Sequence, residues 1–464
     1  MYRCIILAAC GVCHFFNLCA ESTQTIEHQT TLYLKLAQET QNHIEYLSHM
    51  GFGERAKGIQ FNWFQLDQGH LDDIDLSSFE RRTAIPQEVL NFDPSKKNTL
   101  ITTDPQAETN KPEDLQTILD VRLYPTLRRL MTRHRIQVFL GSKQEMAAYY
   151  QSKHSKILFG FTIPSSATYY LVESEDQECI VVMAGLVGRE NIVAQLLTMK
   201  LAGLNINQIE IVGEIEHFSR LVQADVANLI AQFPELKIGK HILIIAGCGL
   251  ERTVSEIISR EYEVQAQSFR GNIVSLTQIP LAMPVNGIHG FISLNLNYGE
   301  ITEEIIRLFL NHCECKYVFT GGAGGYIPHE ENETKPAIGT RIAITRSMNE
   351  QGEIVTLGKI VQENEASAMH LQIPSIFLET YEWLEGAKQR GTSVDVETFY
   401  IIRAIHNYNL ENPLTPVEAD CGYFVSDYVG EQALREYSRV YREYPSILSE
   451  FLRKCFSLTD RSSN

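Results

Sequence analysis

Lys316-Tyr317-Val318-Phe319-Thr320-Gly321-Gly322-Ala323-Gly324-Gly325 carries an apolar strand straight into a run of small residues. Glycine after a strand lets the backbone take positive φ and brings N–H groups close to a ligand. No Gly-Lys-Ser/Thr follows, so the run is not a P-loop, and its spacing is not a dinucleotide fingerprint. The pattern therefore predicts a glycine-rich turn over Thr320, Gly321, Gly322, Ala323 and Gly324, either a plain tight turn or a binding loop.

Working outward from this turn, strand-like and helix-like segments alternate from Ile136 onward. "IQVFL", "KILFGF", "TYYLVE" and "CIVVMAG" read as strands, "ENIVAQLLTMKLAGL" as a helix and "QIEIVG" as a strand. A second series repeats the pattern with "HILIIAG", "ERTVSEIISREY", "GFISLNL", "EITEEIIRLFLNH" and "KYVFTGG". "VFLGSKQE" matches "IIAGCGLE", "GRENIVAQLL" matches "GEITEEIIRL" and "IEIVGE" matches "YVFTGG", all at offsets of roughly 110 residues. A tandem partial duplication explains those offsets, although any two βαβ segments share some likeness. The fold class expected is α/β, a mixed sheet flanked by helices, preceded by a degenerate α/β half-domain and a helical N-terminal region. The boundaries follow as a helical and loop-rich region at 21–135, a half-domain at 136–235 and a second domain at 240–464. Within the first region, "TLYLKLAQETQNHIEYLSHM" gives a helical stripe. Gly51-Phe52-Gly53 breaks it, residues 82–118 read as a linker, and "LQTILDVRLYPTLRRLMTRH" reads as a helix.

Composition excludes several classes. At 464 residues the chain can bury two cores, and its 44% hydrophobic and 21% charged residues are those of a globular protein. A net charge of −17 argues against nucleic acid as a partner, while leaving room for a small anion in a local pocket. Arg3 ahead of the apolar run Cys4–Phe16 resembles a secretory signal at 1–20, cleaved after Ala20, so a secreted or periplasmic location is expected. No other segment reads as membrane-spanning. Four of the ten cysteines fall in that leader and the rest are too scattered for a disulfide framework. His312, Cys313, Glu314 and Cys315 cannot converge on one ion from adjacent positions, so no metal site and no cofactor are expected.

Two acidic motifs follow the glycine run. Val394-Asp395-Val396-Glu397 precedes the helical "TFYIIRAIHNY" and places Asp395 and Glu397 on one face of a strand end. A carboxylate there can accept both hydrogen bonds of a vicinal diol, or else line a solvated strand edge. "YFVSDYV" ends an apolar strand on Ser426 and Asp427, and open α/β sheets bind ligands at such strand ends.

Together, "TGGAGG", "VDVE" and "VSD" in this order resemble the nucleoside phosphorylase/nucleosidase superfamily of purine nucleoside phosphorylase and uridine phosphorylase type. The methylthioadenosine/S-adenosylhomocysteine nucleosidase branch is the nearest in motif. "IIAGCGLE" resembles the family's first strand and acidic turn, and "KPAIGTRIAI" its strand after the glycine loop. The resemblance covers roughly 240–455. It implies that Asp427 protonates the leaving base, with Ser426 beside it. Glu397 and Asp395 would grip ribose, and Glu251 would activate water. Residues 320–324 and the aromatic Tyr381 would complete a nucleoside-binding site. Breaking the glycosidic bond passes through an oxocarbenium-like ribosyl cation, which is why an acid must reach the base. Phosphorylases of the family carry an arginine where Phe319 stands, so water is the expected nucleophile. The alternatives are a phosphorylase with an altered phosphate site, and a non-catalytic derivative that binds nucleosides or proteins. The half-domain at 136–235 has Glu145 where the second has Glu251, but "VGEIEHF" in place of the glycine run. It is read as a structural copy, making a homodimer or an internal pseudo-dimer the expected assembly.

Overall fold

The computed structural model describes residues 23–50, 56–65, 74–94, 115–163, 167–185, 188–246, 250–295, 298–330, 333–358, 369–431 and 453. The signal expected at 1–20 and the break at Gly51–Gly53 lie outside the described residues. Runs such as "CIVVMA" and "HILIIA" are apolar at successive positions rather than alternate ones. That is the composition of strands covered on both faces, and the two runs are buried along nearly their whole length.

The first sheet contains β1 (Gln60–Trp63), β2 (Arg82–Thr83), β3 (Arg135–Phe139), β4 (Lys156–Thr162), β5 (Thr168–Glu173), β6 (Cys179–Ala184) and β7 (Ile209–Val212). They lie in the order β1-β4-β5-β6-β3-β7-β2. The second is built on β8 (Lys240–Ala246), β9 (Gln267–Arg270), β10 (Ser275–Val285), β11 (Ile288–Asn295) and β12 (Cys315–Tyr326). It is extended by β13 (Arg341–Ala343), β14 (Arg346–Met348), β15 (Ile354–Thr356), β16 (His370–Gln372), β17 (Ser393–Asp395), β18 (Glu418–Asp420) and β19 (Gly422–Tyr428). The fold is thus mixed α/β, with helices flanking both sheets.

The two sheets share a core topology. β4-β5-β6-β3-β7 and β9-β10-β11-β8-β12 have the same strand order. Each set runs antiparallel, antiparallel, parallel, parallel from one neighbour to the next. The helices Arg189–Leu201 and Ile301–His312 occupy equivalent places, each before the last strand of its set.

Three local readings are corrected. The N-terminal region is not only helix and loop, since β1 and β2 close the two edges of the first sheet. Part of the linker expected at 82–118 is likewise ordered, as β2 and a short helix Gln87–Asn91. The helix expected from Leu115 onward is two, Leu115–Arg122 and Pro125–Arg133, because Pro125 disfavours helical backbone at Tyr124 and starts a new first turn instead.

The strand ends of the first sheet are closed. Phe79 is fully buried and stacks on Phe139 with ring centroids 4.4 Å apart. It lies against both glycines that follow β3 and β7: a Cβ on Gly141 would be 2.8 Å from its ring, and one on Gly213 3.1 Å. Glu145 is occupied as well. Its carboxylate accepts the Ser142 N–H at 2.6 Å and lies 2.8 Å from Nε2 of His217.

The halves meet through equivalent segments. Gly188 and Gly299, at φ of 81° and 74°, each precede a helix start. Glu300 Oε1 accepts the Arg189 N–H at 2.8 Å, and Glu190 Oε2 accepts the Glu300 N–H at 3.0 Å. Each helix start therefore receives a carboxylate at or beside the other, an isologous contact within one chain.

Candidate active site

Gly325 fixes where the two acidic motifs meet. It pairs with Val394 of β17 on one side and with Asp427 of β19 on the other. At the usual strand spacing the backbones carrying Val394 and Asp427 therefore stand about 10 Å apart. The glycines are needed for close approach. A Cβ on Gly324 would lie 2.7 Å from Tyr423 and 3.0 Å from the Val394 carbonyl oxygen, and one on Gly325 2.6 Å from Val429. Here the turn expected over 320–324 is corrected: β12 runs unbroken through Tyr326, with Gly322 opposite Tyr423 and Ala323 opposite Phe424. Gly321 still pairs with Ala246 of β8, so the strand changes neighbours inside the glycine run. Residues without side chains let two strands close on it there.

Thr320 is an interior stitch. Its hydroxyl accepts the Gly422 N–H at 2.9 Å, and the side chain is buried. Ser426 is buried too, donating to Asp427 Oδ1 at 2.5 Å. Asp427 is 7% exposed. Burial pushes its carboxyl up to about 6, with the Ser426 hydrogen bond pulling the other way. Burial, then the charge of Asp427, also drives Glu379 well above the ordinary range. Two carboxyls thus share this strand end.

Asp395 turns its oxygens into the protein. Oδ1 accepts the N–H groups of Glu397 and Thr398 at 3.1 and 2.9 Å, Oδ2 accepts the Thr398 hydroxyl, and His370 Nε2 lies 3.0 Å from Oδ1. Burial alone would raise this carboxyl, but His370 and the Thr398 donors outweigh it and hold Asp395 below its ordinary value. His370 Nδ1 is 2.8 Å from Ser393 Oγ. Serine, histidine and aspartate thus line up, but all three are buried and serve to brace the first turn of the helix Thr398–Glu411. Glu397 heads that turn. Burial, followed by the nearby charges of Asp395 and Glu190, pushes its carboxyl well up.

The remaining candidates are less converged. Tyr381, the expected aromatic partner of the base, opens the helix Tyr381–Lys388 and is 48% exposed. Glu251 lies in the first turn of the helix Leu250–Glu261, directly after an undescribed stretch at 247–249. Sequence reasoning missed His370 and Glu190. Glu379 was visible beside Tyr381 in "SIFLETYEWLEG", where the family resemblance places an acid and a base-stacking aromatic, but its proximity to Asp427 was not. The position of Phe319 is buried in the core, and Arg341, which donates to the Thr320 carbonyl oxygen, is paired with Asp420 at 2.7 Å.

No three His, Cys, Asp or Glu side chains form a metal-sized group among the described residues, and no described helix is long and apolar enough to cross a membrane. A cavity of 640 Å³ lies between the helices His217–Gln232 and Ile301–His312, lined by Val226, Ile230 and Leu308, and none of Asp427, Glu397 or Glu379 borders it.

No family model and no curated protein matches this chain. Among solved structures it is similar to futalosine hydrolase of Helicobacter pylori, at 10% identity over 47% of this chain and 97% of that one, with a TM-score of 0.36. It is similar to 5′-methylthioadenosine/S-adenosylhomocysteine nucleosidase from Helicobacter pylori, at 11% identity over 48% and 99%, with a TM-score of 0.34. Purine nucleoside phosphorylase from Toxoplasma gondii aligns at 12% identity over 47% and 90%, also at 0.34. These neighbours have the nucleoside phosphorylase/nucleosidase fold, and the chemistry of the present chain has to be read from its own residues.

Proposed function

We propose that the second half of the chain hydrolyses the N-glycosidic bond of a purine-type nucleoside. The observation that carries this reading is the pairing of Gly325 with Val394 and Asp427, which sets two acid-bearing segments on either side of one strand. The strand between them is glycine at Gly324 and Gly325, so no side chain of β12 stands between the two acidic segments. Asp427 supplies the proton to the leaving base. A buried carboxyl lifted to about 6 keeps part of its population protonated near neutral pH, as a general acid requires. Glu397 holds the ribose hydroxyls. Asp395 acts through it, since its oxygens fix the Glu397 and Thr398 peptides. Glu251 activates water.

Water is favoured over phosphate by the surroundings of Thr320. Phe319 is buried and apolar, and Arg341 is neutralised by Asp420. A phosphate dianion needs a cation whose charge is not already spent.

The test is a panel of purine and pyrimidine nucleosides incubated with and without phosphate, with free base read by chromatography. Base released without phosphate is expected. Release only with phosphate makes the protein a phosphorylase, and binding without turnover makes it a nucleoside-binding protein. Glu397→Gln should weaken both binding and turnover, because the sugar is held in ground and transition states alike.

A further inference from the structure

Phe79 fills the strand ends of the first half, while Glu190 reaches out of that half. It is fully buried in the first turn of the helix Arg189–Leu201, yet its carboxylate works in the second half. Oε2 accepts the Glu300 N–H at 3.0 Å, and Oε1 accepts the Tyr400 hydroxyl at 2.5 Å. Tyr400 stands in the first turn of the helix Thr398–Glu411, three residues after Glu397. Gly299 leaves the space this needs, because a Cβ there would lie 2.4 Å from Glu190 Oε2. A buried carboxylate is costly unless its oxygens are met by donors. Here the donors come from the other half, which ties the place of Glu190 to the place of that helix start.

The geometry points to Glu190 as a positioning residue, supplied by the first half, that holds the turn carrying Glu397 through Tyr400. The inference rests on Glu397 as the group that holds the sugar. The groups bearing on Glu397 are Asp395 from its own turn, itself paired with His370, and Glu190 from the first half. Tyr298, ahead of the helix Ile301–His312, lies within reach of both Glu397 and Glu190. Glu190 also lifts Glu300, after burial, to about 7. The first half thereby takes part in the site of the second.

Glu190→Gln keeps the size, removes the charge, and exchanges one acceptor oxygen for an amide donor whose hydrogen bond the Tyr400 hydroxyl can accept. Tyr400→Phe keeps the ring and removes the donor that offsets that charge. The Glu397 carboxyl is followed by carbon-13 NMR in the full chain, with Glu397→Gln identifying its resonance. Adenosine binding is measured across the same pH range. Loss of a like charge should move the Glu397 midpoint down in Glu190→Gln. Tyr400→Phe should move it as well, because the charge state of Glu190 depends on that donor. The pH at which adenosine binding is half-maximal should follow Glu397 in both variants. A merely structural Glu190 would lower the melting temperature and leave the midpoint in place, and an unmoved midpoint in a folded Glu190→Gln protein overturns the inference. Should Glu190→Gln fail to fold, an unmoved midpoint in Tyr400→Phe does the same. If the wild type binds no nucleoside, the reading of Glu397 as a sugar-holding group fails, while the Glu397 titration still decides whether Glu190 acts on it.

Discussion

Replacing Asp427 by Asn should make the protein more stable and far less active. The carboxyl sits at about 6 against an ordinary 3.8, a difference of about two pH units. At 1.36 kcal/mol per unit that amounts to about 3 kcal/mol. The sign follows from the direction of the shift. A carboxyl whose folded value is raised contributes its stability in full below pH 3.8 and loses it as pH rises through about 6. Above that, the folded state holds a poorly solvated carboxylate. Asparagine carries no such burden and still accepts the Ser426 hydroxyl that now meets Oδ1 at 2.5 Å. Urea unfolding followed from pH 4 to pH 8 should show the wild type losing up to about 3 kcal/mol relative to Asp427→Asn across that window. Base release by the variant should fall about 10²–10⁴-fold, the usual contribution of a general acid. A gain in stability joined to a loss of activity marks a group kept for function. Parallel pH–stability curves would refute the raised carboxyl, and near-normal turnover would remove Asp427 from the mechanism.

Gly324→Ala should cost about 1–3 kcal/mol by overpacking, since the new methyl meets Tyr423 and the Val394 carbonyl, and should lower nucleoside affinity by disturbing β17; thermal melts and binding isotherms check both. Asp225→Ala should cost about 3–5 kcal/mol, because a carboxylate 1% exposed accepts four hydrogen bonds from Asn272, Ile273 and Val274. Denaturant midpoints read that loss, with base release per folded molecule unchanged. Phe79→Ala should cost about 3–5 kcal/mol by opening a cavity at the strand ends of the first sheet, measurable by the same unfolding curves.

Much of the architecture was legible because its signals are local. "TYYLVE" coincides with β5, and the helices at Arg189–Leu201 and Ile301–His312 lie where their patterns place them. The glycine run misled because a sequence shows that side chains are missing, and not what fills the space. Only the packing of Tyr423, Val394 and Val429 reveals that the strand continues. Asp395 and Glu397 look interchangeable in "VDVE", yet one turns inward to His370 and Thr398 while the other heads the helix. That difference depends on β16, whose register pairs His370 with Ser393. Glu190 was hidden for the same reason: its donors, Glu300 and Tyr400, are 110 and 210 residues away. Phe79 reads as an ordinary apolar residue until β2 pairs with β7 and carries it over Gly213.

The head-to-head contact of the two helix starts has a consequence for how the protein behaves on dilution. A contact between separate chains dissolves as concentration falls, whereas a tether keeps its partners at a fixed local concentration. Arg189, Glu190 and Glu300 therefore meet in every molecule, however few there are. The tether also frees the two sides from being identical. In a symmetric dimer any substitution is made twice, so a ring that stoppers one mouth would stopper both. Here each side is encoded once, and Phe79 can fill the strand ends of the first sheet without a second copy filling those of the other.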